Sequence, residues 1–166
     1  LLTSHCQNAC KYCVLRAGGK LPRDAWEPKK LAEVTVHLYQ EKKIQGLFLS
    51  SCIFKDPDYI VEKELEVAQS LREEDYAGYI HLRLMPGTSR YLIKEAVRLA
   101  DRVGVNIEAP DGDAFDEICP DKGGFDESVL KRLEWIADES QRLKKGDGKC
   151  GFTFNHYCWG FRNISG

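Results

Sequence analysis

Short apolar segments alternate along the chain with longer segments in which apolar residues recur every three or four positions. The short segments are typical of buried strands, and we expect strands at Leu1–Ser4, Gly46–Ser50, Tyr79–Leu84 and Val103–Ile107. The longer segments have the spacing of amphipathic helices, which we expect to begin near Pro28, Asp56, Ser89 and Glu127. A fifth strand is predicted to begin within Cys150–Phe154.

This alternation predicts an α/β fold with a parallel sheet, because strands joined by helices of this length pair in parallel. A doubly wound sheet and a partial (β/α) barrel both fit the apolar pattern, which does not distinguish them. In both, chemistry lies at the carboxyl ends of the strands. Polar residues follow three of the predicted strands there, and we expect them to form one site: Ser50, Ser51, Arg83, Asn106 and Glu108.

Composition narrows the class of protein. The chain has 166 residues, 43% of them hydrophobic, which is enough for one globular core. Its net charge of −2 gives no basic excess with which to attract nucleic acid. No apolar run is long enough to span a bilayer and no signal peptide pattern is present, so we expect a cytoplasmic protein without a membrane segment.

Three of the seven cysteines are clustered in one loop: Cys6, Cys10 and Cys13. An odd, clustered set in a chain without a secretory signal indicates metal or redox chemistry rather than a disulfide framework. The C-x₃-C-x₂-C spacing lets three thiolates bind one face of a 4Fe–4S cluster, leaving one iron free. A zinc site, completed by His5 or a distant cysteine, and three unligated thiols are the alternatives.

The loop resembles that of the radical S-adenosylmethionine (radical SAM) superfamily, C-x₃-C-x-aromatic-C, with Tyr12 as the aromatic residue. The resemblance implies a full or partial β/α barrel, here about four βα units and the start of a fifth strand. It implies a 4Fe–4S cluster whose free iron binds S-adenosylmethionine (SAM), and reductive cleavage to a 5′-deoxyadenosyl radical that abstracts hydrogen. It also implies an electron donor such as a flavodoxin or ferredoxin.

Further segments between Leu1 and about Thr153 resemble a subfamily described as DNA modification or repair radical SAM proteins. They are Leu2-Thr3-Ser4, Gly46 to Ser51, Gly78 to Leu82, Pro86-Gly87, Ala100 to Val103, Val105 to Glu108 and Pro120-Asp121-Lys122. This likeness implies a nucleic acid or nucleotide as substrate.

The superfamily pattern also implies roles for single residues. Tyr12 matches the position beside the adenine of SAM, and Asn106 and Glu108 match positions that contact its ribose. Ser50 and Ser51 replace a Gly-Gly-Glu-like motif that contacts the methionine amino group. The alternatives are a capping or turn role for the serines and a solvated strand end for Asn106 and Glu108.

Arg83 has the planar guanidinium that suits the carboxylate of SAM. Its alternative role is that of an outward-facing salt-bridge partner on a strand.

The sequence also predicts that the chain has two parts, of which only the first keeps the alternating pattern of strands and helices. Residues 1–153 form the incomplete radical SAM core, whereas 154–166 lose the pattern, and we hypothesise a frameshift near Phe154. The leading hypothesis is a radical SAM enzyme core. The alternatives are a zinc-binding interaction module without catalytic activity and an inactive truncated fragment of the enzyme.

Overall fold

A three-stranded parallel sheet, with helices packed against one of its faces, organises the computed structural model, which describes residues 1–146. The elements in chain order are α1 (Pro28–Gln40), β1 (Gly46–Leu49), α2 (Pro57–Glu73), β2 (Tyr79–Leu84), α3 (Arg90–Leu99), β3 (Arg102–Val105), α4 (Gly112–Ile118), a π-helical turn (Asp126–Leu130) and α5 (Lys131–Gly146).

The strands lie side by side in chain order, β1-β2-β3, and both pairings are parallel. The predicted α/β class with a parallel sheet is therefore confirmed. Sequential order with helices on one face is the arrangement of consecutive units in a β/α barrel. Residues 1–146 add no further strand to this sheet, so closure into a barrel stays a prediction.

The helix-covered face of the sheet forms the centre of the core. Alternate residues of β2 point toward it, and Ile80, Leu82 and Leu84 are at most 1% exposed. Helices α2 and α3 cover them with buried residues such as Leu71 and Ile93. Full burial of one such side chain contributes about 1.5–3 kcal/mol, so this face provides much of the stability of the domain.

Local signals fix the starts of the helices as predicted. Asp56 caps α2, because its carboxylate accepts a hydrogen bond from the backbone N–H of Tyr59 at 2.8 Å. Ser89 precedes α3, but its side chain makes no cap bond. Its backbone N–H donates instead to the carboxylate of Asp58 at 2.7 Å, which ties the start of α3 to the first turn of α2.

The prediction of a strand at Leu1–Ser4 was wrong. The backbone N–H of Leu2 donates to the carbonyl of Ser50, whereas the carbonyl of Leu2 accepts from Trp26. The segment forms only an isolated antiparallel bridge, between Thr3 and Ala25. Because its hydrogen bonds are divided between two irregular neighbours, no ladder develops, and the four predicted βα units contain three strands.

Three other elements also differ from the prediction. Strand β3 ends at Val105, and Ile107 is 47% exposed. Helix α4 was not predicted, because its seven residues are too few to show a period and include Gly112. The helix expected at Glu127–Leu143 begins as the π-helical turn and continues as α5. The predicted fifth strand at Cys150–Phe154, the tail 154–166 and the frameshift hypothesis lie outside the described residues.

A membrane-spanning helix would have to be both long and apolar, and no helix within residues 1–146 meets both conditions.

Candidate functional site

A cleft of about 230 Å³ opens at the carboxyl ends of the three strands. Every site residue predicted from the sequence lines it: Cys6, Cys10, Tyr12, Cys13, Ser50, Ser51, Arg83, Asn106 and Glu108. The structure therefore brings together residues that are as much as 102 positions apart in the chain. Their roles toward a cofactor remain predictions.

The cysteine loop is held in place by the segment that follows α4. The backbone N–H of Ala9 donates to the carboxylate of Asp121 at 2.6 Å, and that of Lys11 donates to the carbonyl of Ile118 at 2.9 Å. On the other side of the loop, the backbone N–H of Gln7 donates to the carbonyl of Ile53, which follows β1, at 3.0 Å. Irregular backbone in a cleft needs such partners, since unpaired buried N–H groups are costly.

The three loop cysteines are free thiols in different surroundings. Cys10 is buried, and burial raises its pKa to about 11. The hydrogen bond with Cys52 is the largest cause that lowers the pKa of Cys6 to about 5, and the same bond raises the pKa of Cys52. The pKa of Cys6 is lowered because the Cys52 thiol donates a hydrogen bond that stabilises the Cys6 thiolate.

Among the described residues, no three His, Cys, Asp or Glu side chains are grouped as the ligands of one metal ion. In this arrangement Cys6 contacts Cys52, and Cys10 contacts Cys119. A 4Fe–4S cluster is held through several irons rather than through one ion. Three thiols in one cleft fit that group in donor chemistry, but the described residues do not arrange them as its ligand set.

Tyr12, Glu108 and Lys122 form a hydrogen-bonded network at one end of the cleft. The phenol of Tyr12 donates to Oε2 of Glu108 at 2.6 Å, and Nζ of Lys122 lies 2.8 Å from Oε1. Nζ also donates to the Tyr12 hydroxyl at 3.3 Å. The Lys122 and Glu108 side chains are only 11% and 13% exposed. Through Tyr12, this network joins the cysteine loop to the segment that follows β3.

The ionisation of the pair follows from these contacts. Burial alone would raise the pKa of Glu108, but the hydrogen bonds from Lys122 and Tyr12 outweigh it, and the pKa is lowered. Burial would lower the pKa of Lys122, but Glu108 raises it. Glu108 also has a φ of +66°, in the left-handed region that non-glycine residues rarely adopt, so its surroundings determine its conformation.

Ser50 and Ser51 contact the N-terminal segment as well as the cleft. The carbonyl of Ser50 accepts from Leu2 at 2.9 Å, and the hydroxyl of Ser51 accepts from the backbone N–H of Thr3 at 3.3 Å. Neither serine caps α2, since Asp56 does so. The Ser51 hydroxyl thus has a structural contact, while the Ser50 hydroxyl has no partner among the described residues.

Arg83 does not have the acidic partner that the salt-bridge alternative requires. Within residues 1–146 its guanidinium makes no ion pair, and its buried Nε has no hydrogen-bond acceptor. Burial is the largest cause that lowers its pKa. The amide Nδ2 of Asn8, which also lines the cleft, is likewise buried without an acceptor. Two unpaired donors in one cleft indicate a ligand that carries acceptor oxygens.

Sequence reasoning missed Lys122, Asp121, Asn8 and Cys119 as residues of this region. Lys122 follows a helix that was not predicted, and its partner Glu108 lies fourteen positions earlier. The signal that could have found it was the segment Pro120-Asp121-Lys122, which was matched to the subfamily but not carried into the site. Asn8 lies inside the cysteine loop, where only the cysteines and Tyr12 were considered.

No protein-family model matches the sequence, and no curated protein matches it. Solved structures share its fold, and two of HydG are among them. The crystal structure of HydG, a maturase of the FeFe-hydrogenase, aligns with 83% of this chain at a TM-score of 0.64 and 15% identity. HydG from Carboxydothermus hydrogenoformans aligns with 83% at a TM-score of 0.70 and 17% identity. This chain therefore shares part of the fold of these maturases.

At these identities the likeness establishes the fold alone. The chain spans about a third of the length of either HydG structure, at 31% and 32%.

Proposed function

We propose that this chain is the cluster- and SAM-binding part of a radical SAM enzyme. The observation that carries the proposal is the single cleft, at the carboxyl ends of parallel strands, that contains the three loop cysteines and every predicted cofactor contact. The fold shared with HydG, a radical SAM maturase, supports the same function. The DNA modification or repair subfamily and its nucleic acid substrate rest on sequence resemblance alone.

In this proposal Cys6, Cys10 and Cys13 hold the 4Fe–4S cluster as thiolates. When bound, the cluster and SAM supply one-electron reductive cleavage and a 5′-deoxyadenosyl radical for hydrogen abstraction. Arg83 donates from its unpaired Nε to the carboxylate of SAM, because a guanidinium matches a carboxylate in geometry and charge.

The remaining residues bind and orient the nucleoside part of SAM. Glu108 is ionised and accepts hydrogen bonds from ribose hydroxyls, with Asn106 beside it. Tyr12 lies against the adenine, and its hydrogen bond to Glu108 fixes the ring relative to the ribose site. Ser50 and Ser51 offer hydroxyl and carbonyl oxygens to the methionine amino group.

The proposal includes a cytoplasmic location and a small redox protein, such as a flavodoxin or ferredoxin, as electron donor. The surface beside the cysteine loop supports such a partner, because Val14 is 72% exposed and the basic residues Arg16 and Lys20 are exposed near it. Apolar contact surrounded by positive charge suits an acidic electron carrier.

Anaerobic reconstitution with iron and sulfide tests the proposal. We expect broad visible absorption from the cluster, labile sulfide, and 5′-deoxyadenosine when SAM and a reductant are added. Cys10→Ala should abolish the absorption, whereas Cys158→Ala, a control that removes a cysteine far from the loop in the sequence, should retain it. Stoichiometric zinc without labile sulfide would instead establish the zinc-binding module. A cluster without 5′-deoxyadenosine would establish the inactive fragment.

A further inference from the structure

Two cysteines from outside the loop form thiol pairs with cysteines of the loop. Cys52, three residues after β1, is hydrogen-bonded to Cys6, and Cys119, directly after α4, contacts Cys10. All four are free thiols. Among residues 1–146, two of the three loop cysteines are thus paired with thiols from distant segments, whereas the ligands of one metal group would converge.

The backbone holds Cys6 beside Cys52. The N–H of Cys52 donates to the carbonyl of Thr3 at 3.1 Å, and the N–H of Gln7 donates to the carbonyl of Ile53 at 3.0 Å. Cys6 lies between these two bonds in the chain. Because both bonds join backbone groups, they keep the two thiols adjacent without a ligand between them, and adjacency on separate segments is what a disulfide requires.

The two thiol pairs differ in their access to solvent. Cys6 and Cys52 both line the cleft, and Cys6 is partly exposed. Cys10 and Cys119 are 4% and 0% exposed, and Cys119 does not line the cleft. Exchange between a thiol and a disulfide needs a sulfur that the dissolved reagent can reach. The Cys6–Cys52 pair meets this condition, and the Cys10–Cys119 pair is its buried counterpart.

We propose that Cys6 and Cys52 form a redox-modification site, at which a small dissolved disulfide, glutathione disulfide being the probe, oxidises the cluster-free chain to a Cys6–Cys52 disulfide. Cys6 is the attacking thiol and Cys52 is the resolving thiol. The effect on the cluster rests on the proposed function, since the disulfide removes Cys6 from the set of cluster ligands. Formation of the disulfide does not depend on the cluster.

The oxidation takes place in two exchange steps. The thiolate of Cys6 attacks one sulfur of glutathione disulfide, whose S–S bond breaks, and a mixed disulfide forms while one glutathione thiolate leaves. The thiolate of Cys52 then attacks the sulfur of Cys6, and the second glutathione thiolate leaves. The two protons of the cysteine thiols end on the two glutathione thiolates. The cysteine pair loses two electrons, and glutathione disulfide gains them.

Peptide mapping of the 166-residue chain tests the proposal. The reduced, cluster-free chain is incubated with glutathione disulfide without oxygen, and its remaining thiols are alkylated in denaturant before digestion with trypsin. Cys6 and Cys10 lie in peptide 1–11, and peptide 44–55 contains Cys52 as its single cysteine. We expect these two peptides to be joined, with alkylated Cys10 in the first, and we expect Cys119 to be alkylated as well.

Substitution of the resolving thiol provides a second readout. Cys52→Ser should stop after the first step, so that the chain keeps the mass of one glutathione on Cys6. Because the second step is intramolecular in the parent chain, this mixed disulfide should be at least about tenfold more abundant in the variant. Cys6→Ser should form neither product. Cys158→Ser, the matched control, removes a cysteine far from the loop in the sequence and should behave like the parent.

The proposal is overturned if the folded chain leaves Cys6 reduced, if Cys6 pairs with Cys10 or Cys13, or if Cys119 is oxidised before Cys52. It is also overturned if Cys52→Ser accumulates no more mixed disulfide than the parent. Unfolding of Cys52→Ser, detected by circular dichroism, would leave the map of the parent chain as the deciding measurement.

Reconstitution with iron and sulfide separates this proposal from the proposed function. The reduced chain should develop the visible absorption of the cluster. The oxidised chain should develop it only after treatment with a thiol reductant, and equal uptake by both forms would refute the effect on the cluster. If the reduced chain also forms no cluster, the proposed function fails, while a mapped Cys6–Cys52 disulfide still stands.

Discussion

The two faces of the sheet are built by the same strands and differ in almost every physical respect. On β2, Ile80 and Leu82 point toward the helices and are fully buried. His81 and Arg83, the residues that alternate with them, point toward the opposite face of the sheet, which we call the open face. The helix-covered face consists of closely packed apolar side chains. On the open face, Nε2 of His81 and Nε of Arg83 have no hydrogen-bond partners among the described residues. Alternation along one strand therefore separates apolar residues that stabilise the fold from polar residues.

Two buried glutamates sharpen this contrast. Glu108, in the cleft, is paired with Lys122 and Tyr12, and its pKa is lowered. Glu64, on α2 within the core, is fully buried, and neither carboxylate oxygen has a partner among the described residues. Burial therefore raises the pKa of Glu64 well above its usual value. The contacts of Glu108 thus favour its carboxylate form, whereas the surroundings of Glu64 favour its protonated form.

Among the substitutions that test this contrast, we expect the largest change in the free energy of unfolding at Leu82. Replacement by alanine on the helix-covered face should lower the free energy of unfolding by about 3 kcal/mol, because it removes apolar burial and leaves a cavity. His81→Ala, the neighbouring residue on the open face, should cost less than about 1 kcal/mol. Urea denaturation of the two variants measures the difference. Equal losses would show that the open face is as tightly packed as the core.

Removal of one partner of the Lys122–Glu108 pair should cause the next largest loss in the free energy of unfolding. Lys122→Met removes the cation and leaves a largely buried carboxylate, at a cost of about 2–3 kcal/mol. The double variant Lys122→Met/Glu108→Gln should recover part of that loss, because no charge is left unpaired. A double-mutant cycle, with free energies of unfolding from urea denaturation, measures the interaction energy of the pair. Additive losses in the double variant would show that the pair is not coupled.

Glu64→Leu should stabilise the protein, by about 1–2 kcal/mol at pH 7, because it replaces an unpartnered carboxyl by an apolar side chain. The sign of the pH dependence follows from the raised pKa in the folded state. The folded state holds the proton more tightly, so this residue destabilises the parent chain increasingly as the pH rises above 4.5. The advantage of the variant over the parent should therefore be smaller at pH 5 than at pH 7. A constant difference would contradict this account.

The smallest expected effect is the contribution of His81 to the pH dependence of the free energy of unfolding. Burial, and secondarily Arg83 and Arg102, lowers its pKa from 6.5 to about 4. Below pH 6.5 the unfolded chain binds the proton more readily, so stability is lost as the pH falls from 6.5 toward 4. Because His81 is partly exposed, we expect a contribution of only about 1 kcal/mol between pH 7 and 5. The comparison of the parent with His81→Gln at both pH values isolates it, and parallel pH profiles would refute it.

The sequence predicted those elements whose signals are local. The bounds of β2 match the predicted Tyr79–Leu84, α1 begins at Pro28, and Asp56 caps α2, because a strand pattern, a proline and a capping carboxylate each act within a few residues. The segment Leu1–Ser4 has the same apolar character as a strand. It failed as a prediction, since strand formation depends on partners that are distant in the chain.

The same distinction applies to the site. The cysteines and Tyr12 form a motif within eight residues, and the polar strand ends follow from the parallel topology. Lys122 could not be found in this way, because its importance comes from contacts with Tyr12 and Glu108 that only the folded chain creates. The left-handed conformation of Glu108 also depends on the assembled site, and no local residue pattern predicts it.

The hydrogen bond between Ala9 and Asp121 has a consequence for the order of assembly. During synthesis the cysteine loop leaves the ribosome first, but the carboxylate that holds it follows 112 residues later. At about 5–20 residues per second, the thiols remain without this restraint for about 6–22 s. If the loop holds a cluster as proposed, loading onto an ordered loop would therefore be a late event. The nascent loop is a flexible segment of reactive thiols, and its protection from oxidation during that interval must come from the cell.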